Sequence, residues 1–246
     1  MSAAASPPAP KRTAMVLAAG LGVRMRPLTL NTPKPLIEVA GKALIDHAFD
    51  RLREAQVRLA VVNVHYLAEQ IEDWAMRQPP PPIVISDERP ELLDTGGGIV
   101  KALPQLGAEP FFVVNSDSFW IDGTTPALAR LEEAWDAQTM DSLLLLCPRA
   151  SAIGYEGEGD FDADAGGRLT RRPKDGSAPH VYAGCYLVSP RLFHGAPEGK
   201  FSMNLLWDRA AAAGRLRGLV HDGRWVHVGS PAAIAHAEHA LRTICR

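Results

Sequence analysis

The chain has 246 residues, 46% of them hydrophobic and 22% charged, with a formal net charge of −2. This is the composition of a globular protein. The slightly negative net charge argues against the strongly basic surface that is typical of nucleic-acid binding. No apolar run is long enough to span a membrane. Residues 1–12 are rich in Ala, Ser and Pro and lack the apolar segment of a secretory signal, so we expect a flexible tail there.

The three cysteines, Cys147, Cys185 and Cys245, are odd in number and widely spaced. This spacing fits neither a disulfide framework nor a zinc site, and reduced thiols are typical of the cytoplasm. We therefore expect a cytoplasmic protein with no nucleic-acid or membrane partner. A monomer or a small homo-oligomer both fit the sequence.

Apolar runs without helical periodicity predict buried strands, which alternate with helical segments. In the first half the predicted strands are residues 14–18, 59–64, 83–85, 111–114 and 142–147, and the predicted helices are residues 43–56, 67–76, 98–103 and 126–136. The alternation predicts an α/β fold with a doubly wound, mostly parallel sheet, whose ligands bind at the carboxyl ends of the strands. The second half is predicted to have a loop or hairpin at 154–170, strands at 181–188, 217–220 and 224–228, and helices at 203–213 and 231–246.

The first predicted strand ends in a glycine-rich turn. Gly20 and Gly22 let a ligand approach the main chain closely, and consecutive N–H groups in such a turn form an anion-binding concavity. Arg24 adds a guanidinium group that can hold phosphate oxygens with two parallel hydrogen bonds, and Lys34 is fixed between two prolines. An ordinary loop with scattered basic residues is the alternative interpretation, but the full set favours a triphosphate site.

Two further motifs indicate the same chemistry. Asp117 ends the run Asn-Ser-Asp after the fourth predicted strand, where a carboxylate facing a triphosphate is a natural Mg²⁺ ligand; a turn residue is the alternative. Thr95 precedes three glycines, Gly96 to Gly98. We expect a flat nucleobase to lie against this backbone while Thr95 reads its edge; a flexible loop before a helix is the alternative.

The run Leu-Ala-Ala-Gly-x-Gly-x-Arg-x-x-Pro-x-Thr-x-x-x-Pro-Lys-Pro, which starts at Leu17, resembles the signature of the sugar-1-phosphate nucleotidyltransferases. The resemblance extends from about Thr13 to about Ala240. It implies one domain over residues 13–246 with a Rossmann-like, GT-A-like fold, in which helices flank a mixed, mostly parallel central sheet. It also implies transfer of a nucleotidyl group from a nucleoside triphosphate to a sugar 1-phosphate, with release of pyrophosphate.

The Thr-Gly-Gly-Gly form is most similar to the N-acetylmuramate-1-phosphate uridylyltransferases of cell-wall recycling, which act on peptidoglycan sugars. This likeness makes UTP and N-acetylmuramic acid 1-phosphate the first choice of substrates. GTP with mannose 1-phosphate and dTTP with glucose 1-phosphate stay open. A catalytically silent nucleotide-sugar sensor is the alternative from another functional class.

The resemblance also assigns roles to individual residues. It implies that residues 13–147 bind the nucleotide and residues 148–246 bind the sugar. Arg24 would hold the β- and γ-phosphates and Lys34 would neutralise charge at the α-phosphate, which makes both catalytic. The implied nucleotide contacts are Leu17, Ala18, Ala19, Gly20, Gly22, Thr95 and Gly96. The implied sugar-phosphate contacts are Asn115, Arg172 and Gly184, and the implied metal ligands are Asp117 and the residue at position 227.

Position 227 departs from the family pattern. Relatives carry Trp-x-Asp-x-Gly-Thr, in which the Asp is the second metal ligand, whereas this chain has His227. An imidazole suits Mn²⁺ or Co²⁺ better than Mg²⁺. His227 could ligate the cation, leave the cation to Asp117 and the phosphates, mark a loss of catalysis, or only pack in its strand. We expect retained activity with Mg²⁺, because Arg24, Lys34 and Asp117 are all present.

Overall fold

The computed structural model describes residues 12–244. Residues 1–11 of the expected tail, together with Cys245 and Arg246, lie outside this range. Arg12, the last residue of that tail, is held in place: its Nε atom donates to Oε1 of Glu132 at 2.8 Å and its Nη1 atom donates to the carbonyl oxygen of Pro110 at 3.1 Å.

The described residues form thirteen strands and six α-helices. The strands are β1 (Thr13–Leu17), β2 (Glu38–Val39), β3 (Lys42–Ala43), β4 (Leu59–Val64), β5 (Ile83–Asp87), β6 (Phe111–Asn115), β7 (Ser118–Ile121), β8 (Ser142–Pro148), β9 (Phe161–Ala163), β10 (Leu169–Arg171), β11 (His180–Val188), β12 (Leu216–Val220) and β13 (Arg224–His227). The helices are α1 (Leu44–Glu54), α2 (Ala68–Met76), α3 (Asp94–Leu106), α4 (Ala127–Ala134), α5 (Asn204–Ala212) and α6 (Pro231–Ile244).

A nine-stranded mixed sheet organises these elements. β1 pairs in parallel with β4 and β6, and β4 pairs in parallel with β5, which gives the parallel half. β11 runs antiparallel to β6 and β8, and β12 runs parallel to β8. The expected α/β fold with a mixed, mostly parallel central sheet is confirmed.

Both faces of the parallel half are buried, so its strands read as continuous apolar runs. In β1, Ala14 and Val16 pack in the core on the side of α1, α2 and α4, whereas Met15 packs in the core with α3 and α5. Successive side chains of a strand point to opposite faces, so one five-residue strand serves both layers of helices. No helix within residues 12–244 has the length and apolar character needed to cross a membrane.

The register of the parallel strands fixes where the site forms. Leu17, at the end of β1, lies opposite Asn63 of β4 and Asn115 of β6. These polar side chains therefore meet at one edge of the sheet, beside the glycine turn that follows Leu17. A separate two-stranded ribbon, β7 with β13, places His227 opposite Ser118, the residue after Asp117. The ribbon strand β7 was not predicted from the sequence.

Candidate active site

A cavity of about 340 Å³ opens at the carboxyl edge of β1, β4 and β6. Eight of the expected contact residues line it: Leu17, Ala18, Ala19, Gly20, Lys34, Thr95, Asn115 and Asp117. Six others do not line it: Gly22, Arg24, Gly96, Arg172, Gly184 and His227. Residues that are 100 positions apart thus form one wall because the parallel strands end together.

The glycine turn presents free amide donors to this cavity. The N–H of Ala18 is used inside the protein, because it donates to Oδ1 of Asn63 at 2.7 Å. The next three N–H groups, of residues 19–21, have no acceptor among residues 12–244. Gly22 ends the turn with a left-handed backbone (φ 61°), and a Cβ there would lie 3.0 Å from Cγ2 of Thr29. The turn is therefore shaped by close packing and leaves a run of donors for an anion.

Lys34 and Asp117 form an ion pair in the cavity wall. The Nζ atom of Lys34 lies 3.1 Å from Oδ2 of Asp117, and Lys34 is only 9% exposed. Lys34 begins a short 3₁₀ turn directly after Pro33, whose fixed φ sets the direction of the chain. Burial alone would raise the pKa of Asp117, but the charges of Lys34 and His227 outweigh it, so the pKa lies below its ordinary value. The carboxylate is therefore ionised when the ammonium group is beside it.

The turn that carries Asp117 is tied to the first strand. Ser116 stands where the resembled family has glycine, and its hydroxyl group donates to the carbonyl oxygen of Leu17 at 2.7 Å. Its backbone N–H donates to the same oxygen at 3.3 Å. These bonds fix the position of Asp117 relative to the glycine turn. The serine thus adds a link that glycine could not make.

Arg24 lies outside the cavity wall but within electrostatic reach of it. It is exposed on the 3₁₀ turn Val23–Met25, and no carboxylate of the described chain forms a salt bridge with it. Its positive charge contributes to lowering the pKa of Asp117. The guanidinium group is therefore available for an anion that occupies the cavity.

His227 is held between two aromatic rings beside Asp117. Its ring stacks on Trp225 with centroids 5.7 Å apart and meets Tyr155 edge-on at 6.2 Å. Burial lowers the pKa of His227, and the charge of Asp117 opposes this effect. The backbone N–H of Val228 donates to the carbonyl oxygen of Asp117 at 3.3 Å, so positions 117 and 227 are neighbours as the motif implies.

The three glycines of α3 have a packing function that the sequence did not indicate. The alternative of a flexible loop before the predicted helix is excluded, because α3 begins at Asp94 and includes all three glycines. A Cβ on Gly96 would lie 2.2 Å from the ring of Phe201, and one on Gly97 would lie 2.2 Å from the carbonyl oxygen of Gly199. The segment 199–203 thus occupies the surface that we expected a nucleobase to cover.

Thr95 takes part in the same packing. Its hydroxyl group accepts a hydrogen bond from the N–H of Met203 at 2.8 Å, while the N–H of Gly96 donates to the carbonyl oxygen of Phe201 at 2.9 Å. Thr95 still lines the cavity, but Gly96 does not. These contacts bring the segment 199–203 to the cavity rim.

Two expected sugar-phosphate contacts have a structural role in this chain. Arg172 donates from Nε to the carbonyl oxygen of Gly159 and from Nη1 to three carbonyl oxygens of its own turn, so its guanidinium group organises a loop. Gly184 has a left-handed backbone (φ 76°), and a Cβ there would lie 2.4 Å from Oγ of Ser118. Glycine at 184 is therefore required by this close approach of β7.

Comparison with known proteins identifies the family. Residues 14–152 match the model of the MobA-like NTP transferase domain. The chain is 47% identical to an N-acetylmuramate α-1-phosphate uridylyltransferase of Caulobacter vibrioides, over 95% of this chain and 98% of that protein. It is 34% identical to the enzyme of the same name from Neisseria meningitidis, over 92% of this chain and 96% of that protein. The chain belongs to the sugar-1-phosphate nucleotidyltransferases.

A solved structure supports the fold of this nucleotidyltransferase. UDP-glucose pyrophosphorylase in complex with UDP-glucose superposes with a TM-score of 0.78 at 17% identity, covering 95% of this chain and 99% of that one. At this identity the likeness concerns the fold alone. The expected fold and enzyme class are both confirmed for this chain.

Sequence reasoning missed two residues of the nucleotidyltransferase site. Lys200 lines the cavity from the segment 199–203, but in the sequence it is one cation in an unremarkable polar loop. Glu88 is fully buried beneath the cavity, although Asp87 and Arg89 on either side suggest a solvated turn. The signal for Glu88 was its position directly after a strand of the parallel sheet, at the end where such sheets bind their ligands.

Proposed function

We propose that the chain transfers a uridylyl group from UTP to N-acetylmuramic acid α-1-phosphate and releases pyrophosphate. The observation that carries the proposal is the Lys34–Asp117 pair, which lies in the same cavity wall as Ala19 and Gly20, two of the three residues with free amides. The choice of UTP and of this sugar phosphate is supported by the two uridylyltransferases at 47% and 34% identity.

The reaction is a displacement at the α-phosphorus of UTP. A phosphate oxygen of the sugar 1-phosphate attacks, the bond between the α-phosphorus and the bridging oxygen breaks, and pyrophosphate leaves with that electron pair. The attacking phosphate monoester is already ionised near neutral pH, so no general base is needed. Catalysis then consists of holding the two substrates in line and opposing negative charge.

The residues of this chain divide that task. The turn amides of residues 19–21 bind phosphate oxygens of the triphosphate, and Arg24 contributes a guanidinium group to the β- and γ-phosphates. Lys34 places its ammonium group where charge grows on the α-phosphate. Asp117 holds Lys34 in this position until the substrates enter. In their presence the lysine exchanges a carboxylate partner for phosphate oxygens.

The donor set fits a divalent cation held mainly by substrate. Residues 12–244 contain no group of three His, Cys, Asp or Glu side chains arranged around a common point. Only Oδ2 of Asp117 is bonded to Lys34, which leaves Oδ1 as a ligand atom. One carboxylate with phosphate oxygens and water is a set that Mg²⁺ accepts. We propose Asp117 as the main protein ligand, with His227 at its side; the bound cation would withdraw charge from the α-phosphate.

Lys200 supports an acceptor that carries a second anion. Within residues 12–244 no carboxylate forms a salt bridge with Lys200, whereas the other lysine of the cavity wall is paired with Asp117. N-acetylmuramic acid differs from N-acetylglucosamine by a lactyl ether that ends in a carboxylate. We propose that Lys200 binds this carboxylate. The segment that carries Lys200 is fixed to the start of α3 by Phe201 and Met203, which both follow the lysine.

His227 also motivates a second candidate, a nucleotide-sugar sensor that binds without turnover. A matrix of UTP, GTP and dTTP against N-acetylmuramic acid, N-acetylglucosamine, mannose and glucose 1-phosphates separates the possibilities by pyrophosphate release. The proposed function predicts the highest kcat/KM for UTP with N-acetylmuramic acid 1-phosphate. If another nucleotide and sugar phosphate have the highest kcat/KM, they are the substrates instead. If nucleotides bind but no pyrophosphate is released in Mg²⁺, Mn²⁺ or Co²⁺, the chain is a sensor.

A further inference from the structure

A buried carboxylate joins the two loops that border the cavity. Glu88 follows β5 and is 0% exposed, and no cation lies within ion-pairing distance among residues 12–244. Its Oε1 atom accepts a hydrogen bond from Nδ2 of Asn63 at 2.8 Å, and its Oε2 atom accepts one from the N–H of Leu93 at 3.0 Å. Leu93 directly precedes α3, so Glu88 connects the start of that helix to β4.

Asn63 passes this connection on to the glycine turn. The side chain of Asn63 is 3% exposed, and both ends of its amide are used. Nδ2 donates to Glu88, and Oδ1 accepts from the N–H of Ala18 at 2.7 Å. Ala18 is the last residue before the free amides of residues 19–21. A chain of three hydrogen bonds, two of them buried and one partly buried, therefore runs from the α3 side to the phosphate-binding side of the cavity.

The direction of each bond in this chain depends on Glu88. A carboxylate can only accept, so Asn63 must turn its NH₂ group toward Glu88 and its oxygen toward Ala18. A glutamine at position 88 would carry one NH₂ group in place of a carboxylate oxygen. If this NH₂ group faced Asn63, the Asn63 amide would have to rotate by about 180° to offer its oxygen. The NH₂ group of Asn63 would then face the N–H of Ala18, and two donors would be opposed. A buried N–H without an acceptor is costly.

The packing around Glu88 is close. A Cβ on Gly98 would lie 2.6 Å from Oε1 of Glu88 and 3.0 Å from Nδ2 of Asn63. Glycine is thus required at position 98, because α3 packs directly on Glu88 and Asn63 there. The buried Glu88 side chain is thus packed against α3 beside Asn63.

We propose that Glu88 is a positioning residue for nucleotide binding: through Asn63 it fixes the N–H of Ala18 and so the direction of the free amides at residues 19–21. Glu88 touches no substrate in this scheme. This inference depends on the proposed function in one respect, which is the choice of UTP as the nucleotide in the binding assay.

The test is a swap of polarity between positions 88 and 63. Glu88→Gln should raise the dissociation constant of UTP about tenfold, the effect of one unmade buried hydrogen bond, and speed amide hydrogen exchange in residues 18–22 through the N–H of Ala18, which loses its acceptor. The double variant Glu88→Gln with Asn63→Asp restores an acceptor for Ala18, because the new amide donates to the new carboxylate. Its exchange in residues 18–22 should return toward that of the unmodified protein.

Thr13→Val is the matched control, because it removes a buried 2.7 Å hydrogen bond from Thr13 to the carbonyl oxygen of Leu106 at the other end of β1. It should lower the melting temperature without changing exchange in residues 18–22. Equal exchange in Glu88→Gln and Thr13→Val, or no recovery in the double variant, would overturn the proposal. The exchange readout needs no turnover, so a failure of the proposed reaction would leave this test intact.

Discussion

Lys34 and Asp117 are 83 residues apart in the sequence, yet the ammonium nitrogen of one lies 3.1 Å from a carboxylate oxygen of the other. A 3₁₀ turn after Pro33 delivers the lysine, and the end of β6 delivers the aspartate. The pair places both charges at the cavity before any substrate is bound. Such preorganised charge is worth more than charge that must be moved into place during the reaction.

Lys34→Ala should reduce kcat by a factor of about 10²–10³, the usual effect of removing one group that stabilises the transition state. The dissociation constant of UTP should change much less, because the turn amides still hold the phosphates. Steady-state kinetics and equilibrium binding measure the two effects. Lys42→Ala is the matched control, since Lys42 pairs with Asp50 away from the cavity. Equal losses in both quantities would show that Lys34 only binds the ground state.

His227→Asp should shift the metal preference toward Mg²⁺, because a carboxylate is a harder ligand than an imidazole. The measurement is the ratio of kcat in Mg²⁺ to kcat in Mn²⁺ for each variant. His194→Asp, at an exposed position, controls for the added negative charge. An unchanged ratio in His227→Asp would remove His227 from the metal site.

Lys200→Gln should raise the KM for N-acetylmuramic acid 1-phosphate about tenfold, the effect of losing one charge-assisted hydrogen bond. The KM for N-acetylglucosamine 1-phosphate should stay within about twofold, because that sugar has no carboxylate to lose. Lys174→Gln, at an exposed site near Arg172, is the control. If both acceptors weaken equally, Lys200 binds their shared phosphate instead.

Gly96→Ala should destabilise the fold by about 1–3 kcal/mol, the usual cost of overpacking, because its Cβ would overlap the Phe201 ring. Chemical denaturation measures the free energy of unfolding. Phe201→Ala in the same chain should recover part of the loss, since it removes the overlap. Gly166→Ala, where a Cβ has only an ordinary contact at 3.4 Å, should have little effect. A Gly96→Ala variant of full stability would contradict the packing role.

The stability of the protein should rise with pH between about 4 and 6.5 because of His47. Burial, aided by the charge of Lys42, lowers the pKa of His47 to about 4 from 6.5, and its ring stacks on Phe119 at 4.3 Å. In this pH range His47 is protonated in the unfolded chain but not in the folded chain, so acid favours unfolding. His47→Phe should flatten this part of the profile of unfolding free energy against pH. An unchanged slope would exclude His47 as its source.

The parallel core and the phosphate turn could be predicted from the sequence because both are local patterns. The strand at 59–64 has the predicted bounds, since a buried strand is a continuous apolar run. The turn after β1 was readable because glycines, prolines and cations are concentrated within 19 residues, from Leu17 to Pro35. These features need no knowledge of distant contacts.

The errors arise where a distant segment decides the local structure. The helix was predicted to begin only at Gly98, because glycine disfavours helices, but α3 begins at Asp94. Its glycines pack so closely against the segment 199–203 and Glu88 that a larger residue does not fit. Arg172 matched a motif position, while its actual partners are carbonyl groups of its own loop. Periodicity and motif spacing carry no information about such contacts.

Uridylyl transfer can be followed directly by ³¹P NMR of the purified protein with UTP, N-acetylmuramic acid 1-phosphate and Mg²⁺. We expect the triphosphate and monoester signals to fall together, while signals of pyrophosphate and of a UDP-linked diphosphate grow in equal amounts. The Lys34→Ala variant should produce the same signals far more slowly. If the UTP and sugar-phosphate signals stay unchanged at enzyme concentrations that bind UTP, the chain does not catalyse this reaction.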